Sequence, residues 1–213
     1  RSAGILGLSN FGHSHTYALK NDMSLNTEKI IEFSEKYYDQ PKLIFGFTFM
    51  IWKYFIKQLE KEKNSLNLVN STLFHSGGWK KIEKEAVDKN EFKIKIQEFT
   101  GIKNIFNFYG MVEQVGSIFV ECEYGHLHAP SFSDILIRDP INFDILKNNS
   151  TGLIQVLSLL PQSYPGHSLL TEDLGKIIGE DDCKCGRKGK YFEIFGRIKN
   201  SENRGCSDTL KNE

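Results

Sequence analysis

Apolar and polar residues in the first half of the chain alternate between helical and strand-like patterns. Asn26 or Thr27 can cap a helix that carries apolar residues on one face, and Pro41 is expected to end it. A short buried strand over 42–46 follows, and then a second helix has an apolar stripe at helical spacing. That stripe consists of Trp52, Phe55, Ile56 and Leu59.

Two more strands and another helix are predicted before residue 110. A strand-like run over 66–75 stops at the turn Ser76-Gly77-Gly78, and a helical pattern closed by Gly101 precedes a strand that leads into Tyr109. Alternating strands and helices predict an α/β fold with a mostly parallel sheet, in which ligands bind at the carboxyl ends of the strands. The glycine turns at Gly77-Gly78 and at Gly110 follow two such ends.

The pattern changes after Val115, where apolar runs become short and bounded by turns, as is typical of antiparallel sheet. We therefore expect an α/β part over 1–116, a smaller β-rich subdomain over 117–198 and a polar, mobile tail over 199–213. The short runs are 117–121, 135–138, 153–159 and 191–195.

Composition gives no support for a nucleic-acid-binding, membrane-spanning or secreted protein. The 213 residues include 27 Lys and Arg against 27 Asp and Glu, so the charge balance gives no reason to expect nucleic acid as the main partner. No apolar run reaches the roughly 18 residues that a membrane span needs, and no signal peptide is recognisable. We therefore expect a cytoplasmic protein whose four cysteines are thiols or metal ligands rather than disulfides.

Candidate chemistry first appears in the segment 108–114. Tyr109 could stack on a base, Gly110 leaves the turn free of side-chain bulk, and Glu113 could hold Mg²⁺ near phosphates. An exposed turn after a strand would have the same composition, so the segment alone does not establish a nucleotide site.

Four short motifs along the chain, one of them in this segment, contain further candidate nucleotide-binding residues. They are Ser76-Gly77-Gly78, Tyr109-Gly110-Met111-Val112-Glu113, Thr171-Glu172-Asp173-Leu174-Gly175 and Gly196-Arg197. In this order they resemble the motifs of adenylate-forming ligases. The match is best to the acyl-protein synthetases of bacterial luminescence, which activate fatty acids for a fatty acid reductase. The resemblance runs from about residue 66 to the end and includes the tail sequence 204–208.

The resemblance implies a reaction in which a carboxylate attacks the α-phosphate of ATP to give acyl-AMP and pyrophosphate. It implies that Tyr109 stacks on adenine and that the Gly77-Gly78 turn allows close approach of backbone to the base. It further implies that Glu113 ligates Mg²⁺, Asp173 accepts hydrogen bonds from the ribose hydroxyls, and Arg197 pairs with ribose or phosphate. Without the resemblance, Asp173 would be read as a helix or turn cap and Arg197 as a strand-end salt bridge.

Two departures from the family pattern bear on activity. The superfamily often has threonine where Val112 stands, and valine has no hydroxyl to reach the α-phosphate. A phosphate loop rich in Ser, Thr and Gly is not found ahead of the motifs. We therefore expect that this chain lacks the N-terminal part of the enzyme, and the alternative is a degenerate, inactive copy.

A second constellation combines three thiols with an imidazole. Cys122, His128, Cys183 and Cys185 are the ligand types of structural Zn²⁺, and the glycine after the Cys-x-Cys pair lets two thiolates turn toward one ion. Related aryl-CoA ligases show a similar arrangement, which His128 matches better than His126. Separate thiols that never meet are the alternative.

The third candidate is Cys206, which stands where the acyl-protein synthetases carry the cysteine that takes the acyl group as a thioester. A thiolate on a mobile tail suits this role, and the nearby Arg204 would favour the thiolate. Few residues follow Arg197, so we expect the C-terminal cap domain of many relatives to be absent or vestigial. An unreactive exposed thiol is the alternative.

Together these observations predict ATP-dependent activation of a fatty acid and transfer of the acyl group to a protein cysteine. ATP, Mg²⁺ and structural Zn²⁺ are the implied cofactors, and an acyl-accepting, reductase-like protein is the implied partner. The nearest rival is an acyl- or aryl-CoA ligase. A non-catalytic, zinc-stabilised interaction module is a rival of a different class.

Overall fold

The computed structural model describes residues 7–198, which divide into two compact units between Ile105 and Phe106. The change of pattern that the sequence places near residue 116 lies inside the second unit. Within the described residues, no helix is both long and apolar enough to cross a membrane.

The first unit contains the helix that the sequence predicts after Asn26. Helix α1 spans Thr27–Lys36, and the side chain of Asn26 accepts a hydrogen bond of 3.4 Å from the backbone N–H of Lys29, which confirms the predicted cap. The helix ends before Pro41, and a turn leads into strand β1, Lys42–Phe47.

The second predicted helix is present and contains a widened turn. Helix α2 runs through an α-helical start Thr48–Met50, a π-helical segment Ile51–Ile56 and an α-helical end Lys57–Glu62. Its apolar stripe is buried in the core of the first unit, where Trp52 and Leu59 are 2% and 0% exposed.

Strand β2 spans Ser71–Ser76 and pairs in parallel with β1 along all six of its residues. It is shorter than the predicted run over 66–75 because Leu66 and Leu68 donate their backbone N–H groups elsewhere, at 2.8 Å, to the carbonyls of Phe99 and Thr100. A 3₁₀ segment, Lys80–Glu85, and helix α3, Lys89–Thr100, complete the unit.

The second unit is an antiparallel sheet. Strand β3, Asn104–Tyr109, crosses the boundary between the units, and a 3₁₀ turn, Val112–Gln114, follows it. The other strands are β4 Phe119–Glu121, β5 Leu127–His128, β6 Ser133–Arg138, β7 Gly152–Ser158, β8 Ser168–Glu180 and β9 Lys190–Arg197. They pair in the order β3-β4-β5-β9-β8-β7-β6.

The core of this unit follows the alternation of its strands. Side chains that point to one face are apolar and buried, including Phe119, Ile154 and Phe192, which are all at most 1% exposed. The parallel pair packed with helices in the first unit and the antiparallel sheet in the second confirm the predicted α/β class.

Candidate nucleotide site and metal-ligand cluster

Tyr109 and Asp173 are joined by a hydrogen bond. Tyr109 is the last residue of β3, and its hydroxyl donates to Asp173 Oδ2 over 2.8 Å. Asp173 lies in β8, where its own backbone N–H donates to Thr171 Oγ1 over 3.1 Å. The Thr171 hydroxyl in turn donates to the Ile154 carbonyl of β7 over 2.8 Å, which fixes the backbone beside the carboxylate.

Arg197 is brought to the same place by strand register. It ends β9 directly opposite Asp173 of β8, and its Nε lies 3.7 Å from Asp173 Oδ1. Its Nη1 lies 3.9 Å from Glu172 Oε2. Pairs of this length on a 42% exposed guanidinium contribute about 0–1 kcal/mol to stability. The strand register therefore holds a cation beside Asp173.

A β-bulge in β8 follows Asp173 at once. The register with β9 shifts between Leu174 and Gly175, and a Cβ at Gly175 would collide with the carbonyl of Glu193. The glycine of the Thr-Glu-Asp-Leu-Gly motif thus permits the close strand approach that sets Asp173 opposite Arg197.

The surroundings of Tyr109 favour the protonated phenol, which can donate a hydrogen bond. Burial raises the pKa of the Tyr109 phenol above its ordinary value, and the negative charge of Asp173 raises it further. Its ring packs against Phe119 and Phe192, with centroids 6.1 Å and 6.5 Å away. Tyr109 is therefore neutral over the physiological range and keeps its hydrogen bond to the carboxylate.

The remaining predicted nucleotide residues lie on turns. Gly110 follows β3, and Glu113 lies on the 3₁₀ turn Val112–Gln114 with an exposed side chain. Gly77 and Gly78 follow β2 in the first unit. The structure thus brings Tyr109, Asp173 and Arg197 together in the second unit and places Glu113 four residues beyond Tyr109. Cys206 lies outside the described residues.

Three cysteines and one histidine come together at another part of the second unit. Cys122 follows β4, His128 belongs to β5, and Cys183 and Cys185 lie in the loop between β8 and β9. Their ligand atoms all lie within 4.8 Å of one another, and Cys185 Sγ is 3.4 Å from His128 Nε2. A tetrahedral zinc site separates a sulfur from a nitrogen ligand by about 3.6 Å.

The loop geometry explains why the Cys-x-Cys pair converges. The backbone N–H of Gly186 donates to the Cys183 carbonyl over 2.9 Å, and Gly186 adopts a φ of +81°, which favours glycine. His126 lies beside the cluster, with its Nδ1 3.7 Å from Cys183 Sγ. The donor set, S₃N and largely buried, could hold a metal ion.

The pKa shifts of the cluster differ between its members. Burial raises the pKa of the Cys183 thiol to about 11. Burial acts in the same direction on Cys185, but hydrogen bonds from the Arg187 backbone and the neighbouring thiols outweigh it and lower the Cys185 pKa. Burial and the charge of Arg187 lower the His128 pKa, which favours the neutral imidazole that binds metals.

Sequence reasoning overlooked Gln114, which is 1% exposed and hydrogen-bonded to two distant carbonyls. Burial of a polar residue in a turn is hard to predict from sequence, because a turn has no periodic pattern of apolar residues. Its place immediately after Glu113 in a candidate motif is the one feature that could have drawn attention to it.

Comparison with known proteins supports the family resemblance. The family model described as acyl-protein synthetase, LuxE, matches residues 3–213. A long-chain-fatty-acid–luciferin-component ligase of Vibrio harveyi is 28% identical over 137 residues, which are 62% of this chain and 34% of the relative. The matched part thus spans about a third of that relative's length.

Solved structures support the fold. A 2-hydroxyisobutyryl-CoA ligase in complex with 2-HIB-AMP and CoA superposes with a TM-score of 0.61 at 21% identity, over 81% of this chain and 39% of that one. ATP-bound MatB from Rhodopseudomonas palustris gives 0.53 at 15% identity, over 81% and 33%. A long-chain-fatty-acid-CoA ligase from Archaeoglobus fulgidus gives 0.55 at 13% identity, over 82% and 37%. The fold is that of adenylate-forming ligases, the family resemblance drawn from the motifs is confirmed, and the chain belongs to the LuxE family of acyl-protein synthetases.

Proposed function

We propose that the protein activates a fatty acid as acyl-AMP with ATP and passes the acyl group to Cys206. The observation that carries the first half of this proposal is the cluster of Tyr109, Asp173 and Arg197. An aromatic ring, a carboxylate and a guanidinium converge there through a 2.8 Å hydrogen bond and a 3.7 Å ion pair. These are the groups that an adenosine moiety needs.

Each group of the cluster has a role toward the nucleotide. Asp173 Oδ2 accepts the Tyr109 hydroxyl, and a carboxylate has about four acceptor sites, so further sites remain for the ribose hydroxyls. Arg197 lies beside Asp173, with its Nε 3.7 Å from Oδ1, and its planar guanidinium would pair with ribose or phosphate. The Tyr109 ring supplies a stacking surface for adenine.

The adenylation step is a displacement at the α-phosphorus of ATP. A carboxylate oxygen of the fatty acid forms a bond to the α-phosphorus, the bond from that phosphorus to the bridging oxygen breaks, and pyrophosphate leaves with both electrons. Magnesium, when bound, offsets the charge that gathers on the departing phosphates. Glu113, exposed on its turn near Tyr109, is the residue that would hold the ion.

The transfer step uses a thiol nucleophile. The Cys206 thiolate attacks the acyl carbonyl, the bond between the carbonyl carbon and the AMP oxygen breaks, and the thiol proton goes to solvent. The products are a protein thioester and AMP. Membership of the acyl-protein synthetase family supports this step and an acyl-accepting protein as the partner. The name of the Vibrio relative supports a long-chain fatty acid as the substrate.

We propose in addition that Cys122, His128, Cys183 and Cys185 hold a structural Zn²⁺. The observation that favours it is a complete set of four ligand atoms within 4.8 Å. Four protein ligands leave no open position for a water or substrate, so the role is structural. The ion would tie β4 and β5 to the loop between β8 and β9.

Fatty-acid-dependent exchange of labelled pyrophosphate into ATP tests the adenylation step. The assay uses the protein from the complete reading frame that contains these residues. We expect exchange that requires both Mg²⁺ and fatty acid, a large loss in Asp173→Asn, and near-normal exchange in Glu193→Gln, a carboxylate-to-amide change on the partner strand β9. Equal activity of the two variants would contradict the assigned role of Asp173.

The same preparation separates the rivals. Product formation that requires coenzyme A would favour an acyl- or aryl-CoA ligase. A folded protein that neither binds ATP nor exchanges pyrophosphate would favour a non-catalytic, zinc-stabilised interaction module.

A further inference from the structure

A buried glutamine anchors the turn that carries Glu113. Gln114 is the buried residue of the 3₁₀ turn Val112–Gln114, whereas Val112 is 54% exposed. Its Nε2 donates to the carbonyl of Val156 over 3.1 Å and to the carbonyl of Gly166 over 2.7 Å. Because both partners are acceptors, the amide can bind them only with its nitrogen, so its orientation is fixed.

A second tie lies three residues further along. The hydroxyls of Ser117 and Ser158 are 2.6 Å apart, and Ser133 donates to Ser117 over 3.0 Å. Ser117 and Ser158 are 1% and 3% exposed, so their hydrogen bond is shielded from water. The backbone N–H of Leu160 also donates to Ser158 Oγ, over 3.2 Å.

These ties close both ends of the segment between β7 and β8, residues 159–167, which we call the 159–167 loop. Its start is held through Ser158 to Ser117, and its end is held through Gly166 to Gln114. The Ser158 N–H donates to the His167 carbonyl over 2.9 Å. A Cβ on Gly166 would lie only 2.6–2.8 Å from atoms of the Tyr164 side chain. The loop is therefore closely packed at the residue whose carbonyl binds Gln114.

The other contacts of the turn are local ones. A 3₁₀ turn of three residues is weakly stable by itself, and its backbone makes two hydrogen bonds of 3.1 Å, from the Gln114 N–H to the Met111 carbonyl and from the Ser117 N–H to the Gln114 carbonyl. Val112 and Val115 point to solvent at 54% and 77% exposure and give no apolar anchor. Met111, which precedes the turn, packs against the core of the unit, and the Gln114 amide adds the two side-chain hydrogen bonds that fix how the turn presents Glu113.

We propose that Gln114 is a positioning residue that orients Glu113 for magnesium and couples it to the 159–167 loop. This inference rests on the proposed function, in which Glu113 holds the ion. Gln114 touches neither ATP nor the metal and acts through the turn. Loss of its two hydrogen bonds should weaken the use of magnesium more than the binding of fatty acid.

Two matched substitutions test this inference. Gln114→Met keeps the length of the side chain and removes both donors. Gln155→Met makes the same change at a glutamine of β7 that binds Arg138 and Ser168 instead. In pyrophosphate exchange, we expect Gln114→Met to raise the Mg²⁺ concentration for half-maximal rate about tenfold, as losses of supporting hydrogen bonds commonly do. Fatty acid KM should change little, and Gln155→Met should leave both values near those of the unmodified protein.

Hydrogen exchange of the backbone amides gives a readout that needs no activity. We expect faster exchange in 110–117 and in 159–167 together in Gln114→Met, and in neither segment in Gln155→Met. Unchanged amide exchange in the two segments would show that Gln114 does not hold the turn and the 159–167 loop together. Faster amide exchange in both segments with an unchanged Mg²⁺ requirement would overturn the positioning role. If the unmodified protein exchanges no pyrophosphate, both the proposed function and the role of Glu113 are wrong. Hydrogen exchange of the amides still decides in that case whether Gln114 holds the 159–167 loop.

Discussion

Tyr109 and Asp173 stand 64 positions apart in the sequence, and the Tyr109 hydroxyl donates a 2.8 Å hydrogen bond to Asp173 Oδ2. The bond links the second and the third of the four sequence motifs. Because burial and the Asp173 charge raise the pKa of Tyr109, the phenol stays protonated and the carboxylate keeps its partner. The ring proposed for adenine and the carboxylate proposed for ribose are thus held as a pair before any nucleotide arrives.

Tyr109→Phe should therefore weaken ATP binding while it keeps the stacking ring. Hydrogen bonds to a charged group contribute about 1.5–3 kcal/mol, and part of this is lost when Asp173 is no longer held. We expect ATP KM to rise roughly fivefold to tenfold, with a smaller change in kcat, in steady-state kinetics of adenylation. Tyr38→Phe, at a 74% exposed tyrosine of the first unit, should change neither value. An unchanged ATP KM in Tyr109→Phe would argue against this pairing as part of the site.

Arg197→Gln should separate nucleotide binding from stability. Its ion pairs with Asp173 and Glu172 are 3.7 Å and 3.9 Å long and partly exposed, so their loss should cost less than about 1 kcal/mol in the free energy of unfolding. If the guanidinium binds ribose or phosphate, the ATP dissociation constant should rise roughly tenfold. Calorimetric titration and urea unfolding measure the two effects. A strand-end salt bridge without a nucleotide role would leave ATP affinity unchanged.

Gly78→Ala should show whether backbone near this turn approaches the base. No atom lies within 4 Å of a Cβ built at Gly78, so the free energy of unfolding should stay within about 0.5 kcal/mol of its original value. A methyl group pressed against a bound base would cost about 1–3 kcal/mol, or roughly tenfold or more in ATP affinity. Normal ATP affinity in a stable Gly78→Ala protein would remove this turn from the nucleotide site.

Metal removal should destabilise the second unit. We expect one equivalent of zinc by metal analysis of the purified protein, and a melting temperature lower by about 10 °C after chelation, because structural zinc contributes several kcal/mol to folding. Cys185→Ser should lose the metal, whereas Lys184→Ser, between the two cysteines, should retain it. Purified protein without zinc, and with a melting temperature that chelators do not change, would show that the four residues are only neighbours.

The sequence contained the local features of the fold and little of the pairing between distant segments. Asn26 caps α1 as its side chain predicts, because capping depends on residues only three apart. The cluster of Cys122, His128, Cys183 and Cys185 could be grouped in advance because few side chains have soft ligand atoms and a Cys-x-Cys pair is a local signal. Its closeness in space nevertheless depends on the pairing of β5 with β9.

Other relationships depend on register, which local patterns do not contain. The Tyr109–Asp173 hydrogen bond joins residues 64 positions apart, and the position of Arg197 depends on the pairing of β8 with β9, whose register shifts between Leu174 and Gly175. The burial of Gln114 depends on carbonyls 42 and 52 positions away. Neither relationship has a periodic signature, so the sequence identified most residues of the candidate site and not the contacts that hold them.

The most direct measurement is intact-protein mass spectrometry after the protein is mixed with a synthetic long-chain acyl-adenylate, which bypasses the ATP step. We predict a single acyl adduct that hydroxylamine removes, that is absent in Cys206→Ser and that persists in Ser207→Ala. No adduct, or scattered adducts that Cys206→Ser leaves unchanged, would contradict acyl transfer to Cys206.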